Sequence, residues 1–520
     1  MRTSAAIERG IGPALVLVLA LGLLVAPRIE LAAQGKQKSA GGARSAKKND
    51  AAASDEPASD KSQSGKPQSD KSQSGKPKKS RRKKDKSQDA IAGVEDYASS
   101  HFVVHTDLTD AEAEELLDRL ETMLSLISKY WDRSPSGMIE MYVVKDLKNW
   151  PPQFFPDDAL YSLEGGAGVT ITATRSSRLT DEFLAKSVVY AVADRGTPQH
   201  EAVHAYCGQT FGRTGPLWYS EGMAEMGQYW RANDSSVNAE PVVIRYLRES
   251  EPKSLNEIVN AREITGDSWQ NYAWRWALCH LLANNTNYSQ RFRPLGLGLL
   301  TKQDVSFEQT YGNMAKEISF EYRQFLQDVE RGYRADLCSW DWKSKFMLVK
   351  TAKVTSVKIE AGRGWQASRL IVQAGEEYEF SAAGNWVMSK GDQGVDADGD
   401  SDGNGRLIGA LLTDEGDDFA LGEPFELGRF GTFTAPGEGN LFLRCREPWS
   451  DIADNRGTVM VKLKLKGKGP ALTAPKKEEQ KKSAGDKKRK GGKDKETEPD
   501  SAQQKPDEKP AEDQPAESKP

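Results

Sequence analysis

The chain has 520 residues, with 72 Lys or Arg against 76 Asp or Glu and a formal charge of −4. That length exceeds one ordinary domain, and the small net charge hides an asymmetry: about +1 over residues 1–33, about +9 over 34–90, about +2 over 467–520, and therefore about −16 over 91–466. An acidic core of this kind argues against nucleic acid as the partner and favours cations or basic substrates.

In chain order, Arg2 and Arg9 precede an apolar run from Ile11 to Ala26, and the small residues Ala32 and Ala33 stand before Gln34. The run is short for a membrane span and has the layout of an export signal. Residues 1–33 are expected to send the protein to the periplasm or outside the cell, cleaved as a signal peptide or kept as an anchor through residues 11–26. Residues 34–90 are Lys, Ser, Gln and Pro-rich, with a tandem Ser-Asp-Lys-Ser-Gln-Ser-Gly-Lys-Pro at 59–67 and 69–77. So little apolar surface cannot offset the entropy of ordering, which predicts a disordered linker. Its Lys79–Lys86 run can touch anionic envelope polymers.

Order is expected from about residue 91. His101–His105 reads as a strand, and Ala111–Trp131 carries apolar residues near the 3.6 period of a helix. Ile139–Val144, Ala167–Thr174 and Val188–Ala193 read as further strands. Next comes Gln-His-Glu-Ala-Val-His at 199–204, followed by Leu-Trp-Tyr-Ser-Glu-Gly-Met-Ala-Glu at 217–225. On a helix, His200 and His204 project from one face, the geometry two metal ligands need. Glu201 can reach a water at that metal without ligating it. Glu221 lies 17 residues after His204, far enough for a turn at 212–216 and a second helix that brings a third ligand. Glu225, one turn further, is placed to orient a ligand His from behind. The chain holds only 5 His, so chance is a poor account of this spacing. Helical patterns then continue over 268–282, 306–312 and 314–329. His280 reads as a packed helix residue.

These motifs resemble the gluzincin metallopeptidases of the MA-like group, in particular a bacterial, largely uncharacterised secreted branch that carries H-E-x-x-H followed by W-x-x-E-G-x-A-E. The resemblance covers roughly residues 95–335. It implies an α+β zincin-like domain (about 91–345), zinc at His200, His204 and Glu221, Glu201 as general base and a peptide or protein substrate. It also implies a helical Tyr that steadies the oxyanion, for which Tyr272 is the candidate.

From about Thr351 the chain alternates in short segments between Gly and Pro, at 354–359, 369–372, 378–381, 441–443 and 458–465, which predicts an all-β sandwich over 350–466. Val372-Gln-Ala-Gly-Glu, Ser381-Ala-Ala-Gly-Asn-Trp, Leu407-Ile-Gly-Ala-Leu and Asp454-Asn-Arg-Gly resemble the calcium-dependent, galactose-binding PA-I type of bacterial lectin over roughly 355–466. That likeness implies Ca2+ at Glu447, Asp451, Asp454 and Asn455, and carbohydrate or cell-envelope polymer as a partner. Asp396–Gly405 copies the start of an EF-hand loop but has Gly409 where the bidentate Glu belongs, so it reads as an acidic hairpin. Cys207, Cys279, Cys338 and Cys445 are either two disulfides or four buried thiols. Residues 467–520 read as a disordered, charged tail. The expected function is a secreted zinc peptidase. The alternative is a carbohydrate or envelope-binding protein whose zincin half is a scaffold.

Overall fold

The computed structural model describes residues 16–22 and 91–475, apart from 92, 177–182, 261–268 and 392. The predicted linker and most of the predicted export signal and tail lie outside the described residues. The fold is mixed α/β with several sheets.

The first sheet contains β1 (Val16–Gly22), β2 (Glu95–Ala98), β3 (Phe102–Thr106), β4 (Ile139–Val144), β5 (Gly168–Ser176) and β6 (Phe183–Val192) in the spatial order β1-β5-β6-β4-β3-β2. The pairs β3–β4 and β4–β6 are parallel and the others antiparallel. One face is covered by α1 (Asp110–Trp131), whose stripe from Leu116 to Trp131 is fully buried. Each such side chain contributes about 1.5–3 kcal/mol. Thr109 and Glu112 form a capping box at its start. The other face carries a smaller cluster built on Trp150, Phe155 and α2 (Asp157–Glu164). Along that face His105, Tyr142 and Tyr190 sit directly opposite one another on β3, β4 and β6, with ring centroids 4.6 and 5.2 Å apart.

α3 (Thr197–Phe211) and α4 (Leu217–Tyr229) follow β6 and are buried almost all round. α5 (Pro241–Glu249), α6 (Leu255–Val259), α7 (Trp269–Asn284), α8 (Ser289–Leu300), α9 (Phe307–Tyr311) and α10 (Ala315–Asp328) complete the helical part. The helices α2, α5, α6 and α8 are additions to the predicted elements. α8 carries Pro294 internally, the residue that argues against a helix in sequence. It is held by burial of Phe292, Leu295 and Leu300.

Beyond β7 (Met347–Leu348) lie β8 (Thr355–Glu360), β9 (Gln366–Val372), β10 (Glu377–Val387), β11 (Leu407–Asp414), β12 (Phe419–Leu421), β13 (Phe425–Glu426), β14 (Phe430–Thr434), β15 (Gly439–Cys445) and β16 (Arg456–Leu465). They form a sheet in the order β14-β10-β16-β8 and another in the order β12-β11-β15-β9-β7, with β13 beside β11. Ile359, Leu370, Phe380, Trp386, Leu411, Leu443 and Val461, drawn from both sheets, share one buried cluster. A separate cluster joins this region to α10 through Phe320, Trp340, Trp365 and Phe442. Lys316–Asp414 and Arg323–Asp418 ion pairs border it.

Beneath that seam Glu321 is buried and accepts hydrogen bonds from Asn285, Asn287, Tyr288, the Trp340 backbone and Trp342, at 2.5–3.3 Å. It ties α10 to the segment entering the β region. Residues 467–475, assigned to the tail by composition, stay bound along β10: Leu472 N–H donates to Glu379 at 3.0 Å and Ser381 to the Thr473 carbonyl at 3.2 Å. Hydrogen bonds between main-chain groups and distant side chains leave no compositional trace. The four cysteines are buried free thiols, which removes the disulfide alternative in this structure. Among the described residues, no helix is long and apolar enough to cross a membrane.

Candidate metal centre

α3 begins at Thr197-Pro198, where Asp194 accepts from the Gly196 and Thr197 N–H groups at 2.8 and 2.6 Å. It ends at Gly212, whose φ of 77° is the left-handed conformation that glycine adopts freely. Five residues later α4 starts after Pro216. The packing of α4 on α3 brings His200, His204 and Glu221 together.

His200 Nε2 lies 3.2 Å from His204 Nε2 and 3.2 Å from Glu221 Oε2, and His204 Nε2 lies 3.4 Å from Glu221 Oε2. Ligand atoms on a tetrahedral zinc, each about 2.0–2.1 Å from the ion, stand roughly 3.3 Å apart. The triangle therefore has the size a tetrahedral cation requires. Glu225 Oε1 is 3.0 Å from His200 Nδ1, which puts that ring's proton on Nδ1 and leaves the Nε2 lone pair facing the triangle. Ser220 Oγ stands 3.3 Å from His204 Nδ1 and can do the same there. Among the described residues this is the one group of three His, Cys, Asp or Glu side chains whose ligand atoms all fall within 4.8 Å of one another.

The electrostatics agree. Burial alone disfavours a charged His200, yet the Glu221 and Glu225 carboxylates overcome it and raise its proton affinity well above the ordinary range. Burial pushes the Glu221 carboxyl up, and the two imidazoles more than offset that, holding it below the usual carboxylate range. A buried site that binds a proton this well is a negative pole that suits a cation.

Glu201, buried beside the two imidazoles, also contacts β5. Thr170 Oγ1 donates to Glu201 Oε2 at 2.8 Å and lies 2.9 Å from the Glu201 carbonyl. Burial raises the Glu201 carboxyl, partly countered by His204 and His200. β5 approaches closely because Gly168 has no side chain: a Cβ there would sit 2.6 Å from Glu201 Cγ. Gly222 serves the opposite side in the same way, since a Cβ would sit 2.8 Å from the Arg275 carbonyl and press on Cys279 Sγ. Tyr272, on α7, meets the His200 ring edge-to-face at 5.8 Å. Cys207 is buried, and burial raises its thiol above the ordinary range, so it stays a packed thiol. His280 packs between Trp276 and Phe325, and burial lowers it to about 4, which keeps it neutral.

Sequence reasoning missed Thr170 and Ser220. Thr170 sits on an alternating strand like many others, and only the β5–α3 packing gives it Glu201. Ser220 was inside the motif but carried no metal-ligand signal. His200, Glu201, His204 and Glu221 are all buried. The cavity beside His204, lined by Thr170, Thr172, Gly208, Gly212, Arg213 and Thr214, measures about 10 Å³, room for roughly one water.

The loop residues of the β region form a different kind of cluster. The Asn455 amide donates to Glu447, and Asp454 accepts from Ser389 at 3.1 Å. Burial, with Asp451 and Asp454 adding to it against the Asn455 hydrogen bond, pushes the Glu447 carboxyl up to about 7. Asn455 Oδ1 is buried with no hydrogen-bond partner among the described residues. The 396–405 stretch is a self-bonded hairpin: Asp400 accepts from the Asp402 and Asn404 N–H groups at 2.9 Å, and Arg429 faces Asp396 and Asp398.

No known protein family matches this sequence. No curated protein matches it either. Among solved structures, one described as "EclA N-terminal domain; PllA-like lectin" is similar at 20% identity, over 21% of this chain and 94% of that chain, with a TM-score of 0.17.

Proposed function

We propose that the protein is an exported zinc metallopeptidase, with a zincin-like domain over roughly 91–345 and a lectin-like β-sandwich over roughly 350–466. The observation that carries this is the triangle of His200 Nε2, His204 Nε2 and Glu221 Oε2 with sides of 3.2–3.4 Å, backed by Glu225 and flanked by Glu201. A zinc ion held by these three groups would polarise a scissile carbonyl and acidify a water beside it.

The chain's own residues do the rest. Glu201, oriented by Thr170, takes a proton from the attacking water as its oxygen adds to the carbonyl carbon. It then hands the proton to the departing amine as the C–N bond breaks. Glu225 holds His200 in the tautomer that keeps Nε2 free. Tyr272 stands against His200, where a phenol can steady the oxyanion.

The test uses the full-length protein. Wild type is expected to carry about one zinc per chain and to cleave a fluorescence-quenched peptide library. His204→Ala should lose the zinc, and Glu201→Gln should keep it and lose the cleavage. A zinc-replete wild type without bound zinc would overturn the reading.

A second reading belongs to the β region: a calcium-dependent carbohydrate or envelope-polymer site at Glu447, Asp451, Asp454 and Asn455. The unpartnered Asn455 Oδ1 favours it, since a buried amide oxygen wants a proton or a cation. A glycan array with and without calcium tests it, and absence of binding in both conditions removes it.

A further inference from the structure

Arg213 and Thr214 stand in the turn between α3 and α4, and both line the small cavity they share with His204, Thr170 and Thr172. Resting on the peptidase reading, we propose that Arg213 sets specificity: the metal centre takes substrates that carry a carboxylate close to the bond being cut.

The turn fixes where Arg213 stands. Gly212 and Gly215 flank it at φ values of 77° and 93°, a conformation that side-chain-bearing residues rarely adopt. The Gly212 N–H donates to the Gly208 carbonyl at 2.9 Å, and Gly215 sits beside the ring of the buried Tyr219. Arg213 itself is half-buried, so it borders the cavity and keeps a solvent face.

Its charge is uncommitted. An arginine just past the end of a helix can turn back and cap the last carbonyls. Arg213 does not: its guanidinium makes no hydrogen bond and no ion pair among the described residues. The carboxylates of the centre are all engaged elsewhere. Glu221 faces both imidazoles, Glu225 faces His200, and Glu201 accepts from Thr170. The Thr214 hydroxyl is also without a partner among the described residues. A planar guanidinium beside a hydroxyl offers parallel N–H donors and one O–H, the set a carboxylate accepts. A cationic substrate group would meet like charge there. The acidic balance of residues 91–466 points the other way, but diffuse charge is screened beyond about 10 Å, and a cation on the wall of the site is not.

The experiment gives the full-length, zinc-loaded protein three matched quenched peptides. One has an internal glutamate and an amidated end, the second has glutamine and an amidated end, and the third has glutamine and a free C-terminal carboxylate. Wild type should cleave the first or the third with a kcat/KM about tenfold or more above the second. Which of the two is favoured tells a side-chain carboxylate from a terminal one. Arg213→Ala should erase that ratio at unchanged zinc content, Arg213→Lys should keep part of it, and Arg213→Glu should turn the preference toward a lysine peptide. Equal rates on all three, or a ratio that survives Arg213→Ala, would overturn the proposal and leave the peptidase reading standing. Cleavage of none would instead strike the peptidase reading, and calorimetry with the same peptides as ligands then decides. Tighter binding of a carboxylate peptide that is lost in Arg213→Ala upholds the carboxylate site, and equal or absent binding overturns it.

Discussion

Two polar clusters invite comparison, one on α3 and α4 and the other in the loop from Glu447 to Asn455. In the first, three ligand atoms converge within 3.4 Å, because each side chain leaves a buried helix and the two imidazoles are braced from behind, His200 by Glu225 and His204 by Ser220. In the second, the acids are spread along a loop, and Glu447 is already engaged by Asn455. Donor type alone does not bring ligand atoms to within reach of one ion. Convergence comes from rigid elements packed so closely that glycine is required at the contact, as at Gly168 and Gly222.

The sharpest way to break this comparison is Glu201→Gln. Peptide hydrolysis should fall by about 10²–10⁴-fold with zinc content unchanged by elemental analysis. Removing the brace tests the role of rigidity: Glu225→Gln should weaken zinc binding by about 10–100-fold in a competitive chelator titration. Glu321→Ala, far from either cluster, would leave five donors unpaired and cost about 3–5 kcal/mol in urea unfolding. A cost below about 1 kcal/mol would show that the seam between α10 and the β region relaxes freely. Gly222→Ala drives a methyl against the Arg275 carbonyl and should cost about 1–3 kcal/mol, with a parallel loss of zinc affinity. The smallest effect is expected from Asp454→Asn. It should leave zinc content and hydrolysis as they are and abolish any calcium-dependent rise in melting temperature. A change in zinc content there would mean the two clusters are coupled.

Much of this was legible in the chain itself. The period of residues 111–131 and the alternation at 139–144 correspond to α1 and β4, because α1 buries one stripe and β4 turns Ile139, Met141 and Val143 into the larger core. His200, His204 and Glu221 could be named because a four-residue spacing on a helix is a geometric statement. α8 was hidden by Pro294, and α2, α5 and α6 by their brevity. Glu321 gave no signal, since a lone acid in an amphipathic pattern looks the same whether it is solvated or caged.

The helix that carries two imidazoles on one face, the turn at Gly212, the passage from a helical to an all-β region near residue 350 and the acidic balance of the core were set by the sequence alone. Those follow from local periodicity and backbone freedom. Only the tertiary structure decided that Thr170 would hold Glu201, that Ser220 would face His204, that the cysteines would stay apart as buried thiols, and that residues 467–475 would remain bound along β10. Each of those depends on which elements pack against one another, and packing partners far apart in the chain leave no local pattern to read.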